Sequence, residues 1–298
     1  MPGCGTARPA ARFAFVKIRA MPLILEPRPD AGALAIDLGG VVPDRVATLS
    51  AAETARLLVR ADERPVELAA CFRVSGDAAD GRIECRGDWS RVHSIGKRMA
   101  RGEICVRGPA GRHAGEGMIG GVLAIEGDAG DWLACEMAGG VVRVAGHAGD
   151  NAAAALPGSR FGMRGGLVTI AGDAGCLAGA RMRRGVLAIG GDCGPAAAFE
   201  LRAGTVVVAG TIGADSGSGM QRGSLVAAGL PGAPPTTFRR GAVWAPTFLP
   251  LLAARLDAVG FLPGGTSARQ LLAGLWQHWH GDLLAGGRGE LWLRALPA

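Results

Sequence analysis

Tyrosine is absent from this 298-residue chain, and all aromatics together make up only 5% of it. Proteins that grip single-stranded nucleic acid stack bases on aromatic side chains, so no nucleic-acid partner is expected. No apolar run reaches the length of a membrane-spanning helix, and no membrane partner is expected either. The basic N-terminus is interrupted by Pro2, Pro9 and Pro22 and has no continuous apolar core, which argues against a signal peptide. The seven cysteines (Cys4, Cys71, Cys85, Cys105, Cys135, Cys176 and Cys193) contain no C-x-x-C pair. An odd, scattered set reads as reduced thiols of a cytoplasmic protein, most of them small buried apolar residues, and not as disulfides or a zinc site. There is no P-loop, no G-x-S-x-G and no H-E-x-x-H. His278-Trp-His280 offers two histidines without a third ligand nearby in sequence and reads as surface histidines beside a helix end. Neither a catalytic residue nor a metal ligand set is therefore expected.

Glycine is abundant: 50 of 298 residues, far above the usual ~7%. A phrase such as Met118-Ile-Gly-Gly-Val-Leu-Ala-Ile-Glu-Gly-Asp-Ala-Gly130 recurs from Met99 to Gly241. Met99, Met118, Met137, Met163, Met182, Leu201 and Met220 open successive copies, and Phe238 opens a partial last one. The step is 19 residues, except for a seven-residue excess between 137 and 163 and a final step of 18. Glycine columns start at Gly102, Gly108 and Gly111 and repeat with the phrase. They mark corners that need positive φ or close backbone approach. Between the first two columns lie five-residue runs such as Thr205-Val-Val-Val-Ala209, rich in β-branched residues as strands are. Leu123, Val142, Val168, Leu187 and Val206 form one inward column, and Ile125, Val144, Ile170, Ile189 and Val208 another, two residues on.

A period of 19 is too short for a helical-pair or propeller repeat. It predicts a mostly β fold: a single-stranded right-handed parallel β-helix of ~19-residue coils, stabilised by stacking, with the methionines along one edge of the aliphatic interior. Residues 1–12 read as a disordered leader and 13–80 as a small α/β cap. Within that cap, strands are expected at 13–18, 23–25 and 33–38. Ser50 and Glu53 form a capping box for a short helix that continues over 54–59, and a strand spans 66–74. Residues 81–244 are the glycine-rich β-helix, beginning with a degenerate repeat at 82–88. Residues 245–298 form a helical C-terminal cap, with helices over 248–258 and 267–280 covering the far end, then a glycine turn and a strand. The seven extra residues, within 150–162, are expected to form a loop on one face.

Asp88, Asp128, Asp173 and Asp192 share a corner position with His147 and Thr211, where a carboxylate can bond nearby backbone N–H groups. The arginines carry more information. Arg164, Arg183, Arg202, Gln221 and Arg239 follow the column residue directly, and Arg184, Arg222 and Arg240 lie one further on. Stacked at about 5 Å, two such charges repel by roughly 0.8 kcal/mol in water and about 3 kcal/mol at an effective dielectric of 20. Such a row calls for compensation by Glu200 and Asp215, by a bound polyanion or by an acidic protein surface. The net charge of +6 is consistent with an acidic partner.

The Met-x-x-Gly, β-run, Gly-Asp-Ala-Gly phrase resembles the glycine-rich β-helix domain of glutamate synthase. It more closely resembles the C subunit of formylmethanofuran dehydrogenase. Leu49-Ser-Ala-Ala-Glu, Cys71-Phe-Arg-Val-Ser-Gly-Asp and Gly281-Asp-Leu-Leu-Ala-Gly-Gly-Arg-Gly-Glu290 resemble the flanks of that subunit, so the likeness runs from about residue 13 onward. It implies a cytoplasmic scaffold subunit with no catalytic centre and no cofactor of its own. The implied partners are an amidohydrolase-like A subunit, a B subunit of molybdopterin or tungstopterin type and a formyltransferase D subunit. One version of the complex reduces CO2 onto methanofuran. The other, bacterial version moves formyl from tetrahydromethanopterin to a methanofuran-like cofactor and hydrolyses it to formate. A chain rich in Ala, Arg and Gly and lacking Tyr suggests a GC-rich bacterial genome and favours the second. The cofactor of such complexes carries a polyglutamyl tail, an implied ligand for Arg164, Arg183, Arg202, Arg239, Arg184 and Arg222. A free-standing assembly protein with a synthase-like domain is the competing expectation.

Overall fold

The structure, a computed structural model, describes residues 22–31, 33–231 and 233–295. The leader expected at 1–12 and the strand expected at 13–18 lie outside them.

The chain opens with β1 (Leu23–Pro27), β2 (Ile36–Asp37), α1 (Pro43–Val46), α2 (Ala51–Ala55), β3 (Leu58–Ala61), β4 (Arg64–Glu67), α3 (Leu68–Cys71) and β5 (Phe72–Ser75). Then follow β6 (Arg82–Arg86), β7 (Val92–His93), β8 (Glu103–Arg107), β9 (Val122–Ile125), β10 (Val141–Val144), β11 (Leu167–Ile170), β12 (Val186–Ile189), β13 (Thr205–Thr211) and β14 (Arg222–Gly229). The last elements are β15 (Arg239–Trp244), α4 (Leu249–Ala258), α5 (Ala268–Leu272), β16 (Trp276–Gly281) and β17 (Arg288–Arg294).

Each repeat adds one strand to a 13-stranded sheet, which is not closed. From β6 through β8 to β14 every neighbouring pair is parallel, with Leu123 beside Val142 and Ile189 beside Val208, and the register holds until it shifts between Val208 and Thr211 at the end of the β13–β14 pair. A second parallel row of bridges joins Trp89, Ala110, Ala129, Ala148, Ala174, Cys193 and Ile212. The inward aliphatic columns are buried as the period predicts, and the methionines are buried completely within the same core. They are interior filling, not an edge cap; a thioether adapts to the irregular space between stacked corners.

The corners are joined by side chains as well as backbone. Asp128 Oδ1 accepts the His147 N–H (2.7 Å), His147 Nδ1 accepts the Asp173 N–H (3.0 Å), and Asp173 and Asp192 accept the N–H groups of Asp192 and Thr211. Asp88 makes the local bond that turn chemistry predicts, accepting the Ser90 N–H (2.9 Å), whereas each of these later acceptors satisfies the repeat that follows. His147→Ala is expected to lose about 1 kcal/mol of stability, whereas His147→Asn keeps an acceptor and stays near the wild type. Urea denaturation of the two variants checks this.

Both ends depart from expectation. The Ser50–Glu53 capping box is present, but α2 ends at Ala55 and the chain enters β3, which pairs with β4 in a separate four-stranded sheet. The strand expected over 66–74 is broken by α3. That helix carries the chain from β4 in the small sheet to β5, which pairs with β1 in the large one. At the other end, Ser267 caps α5 through Gln270, but the helix stops at Leu272 and residues 276–281 are β16. Gly274, at φ 94°, lies between them. The two helices do not cover the far end. They lie on the outer face of the sheet, where Leu249, Leu252, Ala253, Leu256 and Leu272 pack with Leu167, Val186, Ala188, Val207 and Val226. The outward strand positions turn apolar there, while Glu84, Arg143 and their neighbours face outward in earlier repeats. The far end is covered by strands: β17 joins β14 in parallel, and β16 and β15 extend it antiparallel.

Candidate functional site

The arginine row is built by the backbone. Arg164, Arg183, Arg202 and Gln221 each donate their N–H to the carbonyl of the column residue one repeat earlier, at 2.6–2.8 Å. This fixes the four side chains in a line on one corner, with Arg164 and Arg183 exposed and Arg202 half-buried. The next N–H in the series belongs to Asp282, which donates to Met220. Arg239 is therefore not in the row. The partial copy opened by Phe238 becomes β15, where Arg239 faces His280 in an antiparallel pair, three strands from β14. Arg240 bonds Gln277 Oε1 on β16 (2.9 Å). In the second row Ala203 stands between Arg184 and Arg222, so these two are not neighbours. The residue beside Arg222 is Arg288 of β17.

Phe161, from the seven-residue excess, organises the arginines. Its ring lies 4.8 Å from the Arg183 guanidinium carbon, 5.8 Å from that of Arg202 and 5.6 Å from that of Arg160. Each such contact is worth about 0.5–1 kcal/mol at an exposed site, comparable to the repulsion between neighbouring charges in water. Arg202 Nη1 also bonds Gln221 Oε1 (3.3 Å). Arg202 Nε is buried without a hydrogen-bond partner among the described residues.

Among the described residues, internal carboxylates do not compensate the row. Glu200 pairs with Arg181 (2.8 Å), outside the row, and Asp215 joins no ion pair among the described residues. Neither Arg164, Arg183, Arg184, Arg202, Arg222 nor Arg239 is paired with a carboxylate among them. The early repeats are handled differently. There Glu84 bridges Arg86 and Arg107, and Arg107 also pairs with Glu126. Among the described residues, the same architecture thus pairs its cations with carboxylates in the early repeats and not along the arginine row.

Two other groupings complete the ligating side chains. His278 and His280 sit on β16 and not beside a helix end. The His278 ring stacks on Trp292 (4.0 Å, 9°) and is 7% exposed. Burial holds its pKa below the ordinary histidine value, assisted by His280. His113, Glu116 and Cys135 bring one ligand atom each to within 4.8 Å of one another. Sequence reasoning missed Phe161, Arg288 and this trio.

A glycine-rich, mostly β stack of parallel strands, with a row of cations unpaired among the described residues along one corner, is a protein of repeat class. No family model matches the sequence, and no curated protein matches it. Among solved structures it is similar to a chain in the X-ray crystal structure of the formyltransferase/hydrolase complex (FhcABCD) from Methylorubrum extorquens in complex with methylofuran. The TM-score is 0.82 and the identity 32%, over 92% of this chain and 100% of that one. This protein belongs to the same family as that component of the formyltransferase/hydrolase complex.

Proposed function

We propose that the chain is the C subunit of a formyltransferase/hydrolase complex of one-carbon metabolism and serves it as a scaffold without reacting groups of its own. The carrying observation is the likeness over the full length of a chain from such a complex. In this reading the repeats wind as a right-handed parallel β-helix, supported by one in-register parallel strand per 19 residues and by the second row of bridges. Its faces dock an amidohydrolase-like A subunit, a B subunit and a formyltransferase D subunit. The complex moves formyl from tetrahydromethanopterin to a methanofuran-like cofactor and releases formate.

The arginine corner binds the glutamate carboxylates of the cofactor's tail. Guanidinium forks suit carboxylates, and a repeating row of cations suits a repeating polyanion. Phe161 keeps neighbouring guanidiniums in place before the ligand arrives, which lowers the entropy lost on binding.

Affinity purification of the tagged chain from its native host, followed by mass spectrometry, tests the reading. Amidohydrolase-like and formyltransferase-like proteins are expected in stoichiometric yield, with formyl transfer and formate release in the eluate. Recovery of the chain alone would remove the scaffold reading, and an eluate that reduces CO2 would replace the hydrolytic reaction with the reductive one.

A further inference from the structure

The 19-residue period places Lys97, Glu116 and Cys135 at one offset of three successive repeats, and inter-repeat backbone hydrogen bonds confirm the column. Further along it stand Ala154, Ala180, Phe199 and Ser218, none of them charged. The column is thus specialised at one place only. His113 reaches it from the repeat of Glu116. His113 Nδ1 lies 3.1 Å from Glu116 Oε2 and 3.9 Å from Cys135 Sγ. Lys97 Nζ holds the other carboxylate oxygen, Oε1, at 2.9 Å. The His113 ring is steadied by Trp132, parallel to it within 5° at 6.1 Å. Cys135 is fully buried, and the Glu116 side chain is only 13% exposed.

A buried thiol beside a carboxylate is an unusual pair to place in an otherwise uncharged column. Hydrogen bonding to His113, with Lys97 assisting, holds the Glu116 carboxyl at about 2, so it stays an anion. Burial pushes the Cys135 thiol up to about 12. The three donor atoms have the types and spacing of a transition-metal site. A tetrahedral zinc ion with ligands at roughly 2.0–2.3 Å sets its donors about 3.3–3.6 Å apart. The distances of 3.1 and 3.9 Å straddle that range. We propose that His113 Nδ1, Glu116 Oε2 and Cys135 Sγ form a binding site for a zinc-class divalent cation, with water as the fourth ligand.

The charges balance. On binding, the Cys135 S–H bond and the His113 Nδ1–H bond to Glu116 both break: the thiol proton goes to solvent, the imidazole keeps its one proton on Nε2, and the thiolate sulfur and the freed Nδ1 bond the metal. Thiolate and carboxylate offset the two positive charges, and imidazole binds neutral. Lys97 stays outside the ligand set on Oε1, where such partners orient a ligating carboxylate. The ion joins residues of adjacent repeats, so its role is a clasp between them. This site lies apart from the arginine corner, and its test does not depend on the function proposed above.

The full-length chain, stripped with a chelator and titrated anaerobically with Co2+, provides the measurement. A thiolate-to-cobalt charge-transfer band is expected, saturating at one equivalent. Cys135→Ala is expected to abolish the band, and Glu116→Gln and His113→Gln each to weaken Co2+ binding at least ten-fold. Zn2+ is expected to raise the melting temperature of the wild type but not of Cys135→Ala. A wild type without the band, or a band unchanged in Cys135→Ala, overturns the proposal. Should Cys135→Ala fail to fold, the half-exposed His113→Gln carries the same decision, and undiminished Co2+ affinity in that variant overturns it.

Discussion

Gly140→Ala is expected to lower the melting temperature by about 10 °C or to prevent folding. Gly140 belongs to the first glycine column, just before β10, and its φ is 91°. A Cβ there would lie 2.7 Å from the Gly121 carbonyl oxygen and 2.8 and 2.9 Å from the carbonyl carbon and oxygen of Gly120. These are backbone atoms of the preceding repeat, held by the sheet and unable to swing aside. Left-handed strain of about 1–3 kcal/mol adds to an overlap that forces two repeats apart, typically about 1–3 kcal/mol more. A sum near 4 kcal/mol corresponds to roughly 10 °C for a chain of this size. Gly158→Ala separates the two effects: φ there is also positive, at 80°, but nothing lies within 4 Å of the added carbon. That variant should lose only about 1 kcal/mol. Circular-dichroism melts of both decide the matter. Equal shifts would mean that strain, and not contact between repeats, sets the glycine requirement.

The triple variant Arg164→Gln/Arg183→Gln/Arg202→Gln is expected to weaken binding of a polyglutamate peptide about 30- to 100-fold while leaving the melting temperature unchanged or slightly higher. Three charge-assisted contacts at about 0.7–0.9 kcal/mol each, appropriate to exposed pairs, give roughly 2–2.7 kcal/mol. Stability does not fall, because none of the three is ion-paired among the described residues and relief of their mutual repulsion offsets the lost Phe161 contacts of Arg183 and Arg202. Raising the salt concentration should erase most of the difference between variant and wild type, since exposed charges are screened within about 10 Å at 0.1 M. The measurement is fluorescence anisotropy of a labelled peptide at two ionic strengths. Arg239→Gln, on the antiparallel β15, serves as the comparison and is expected to change affinity less than two-fold. If Arg239 mattered as much as Arg183, the row would not be the binding element.

Much of this architecture is legible because the repeat writes each structural role many times. Glycine at the corners, β-branched residues between them and methionine before them recur at fixed offsets, so inward and outward positions can be assigned by column. Single-copy features are harder. The Ser267–Gln270 cap starts a real helix, but the cap says nothing about length. Gly274 and the strand-like Trp276–Gly281 run decide where α5 ends. Phe238 opens a phrase that matches the repeat, yet its strand pairs antiparallel and β17 takes the place beside β14. There Gly289 lies beside Gly223, at the position where the period would put Gly241. A local pattern cannot reveal that a later segment fits the same slot. The arginine row was legible through Gln221, the last position of the regular period, and misassigned at Arg239 beyond it. Phe161 was hidden because insertions have no column to be compared with. The His113, Glu116 and Cys135 trio was legible in principle: numbers 97, 116 and 135 differ by the period. Spacing between cysteines alone does not reveal it, because the ligands are of three different kinds.

The place of β17 has a consequence for the order of assembly. Every strand from β6 to β13, apart from the short β7 in the other sheet, is docked by the next to leave the ribosome. The neighbour of β14 comes only after β15, two helices and β16 have been made. In the sheet Ser224 faces Glu290, with a hydrogen bond between their side chains at 2.9 Å. Until that partner emerges, β14 presents a bare row of amides and carbonyls, the kind of edge that recruits a stray strand from another chain. Growth of the stack is thus stepwise and vectorial for most of its length and concerted at the last junction. During synthesis, the nascent chain is most exposed to mispairing in that interval, when nearly all of it is already folded.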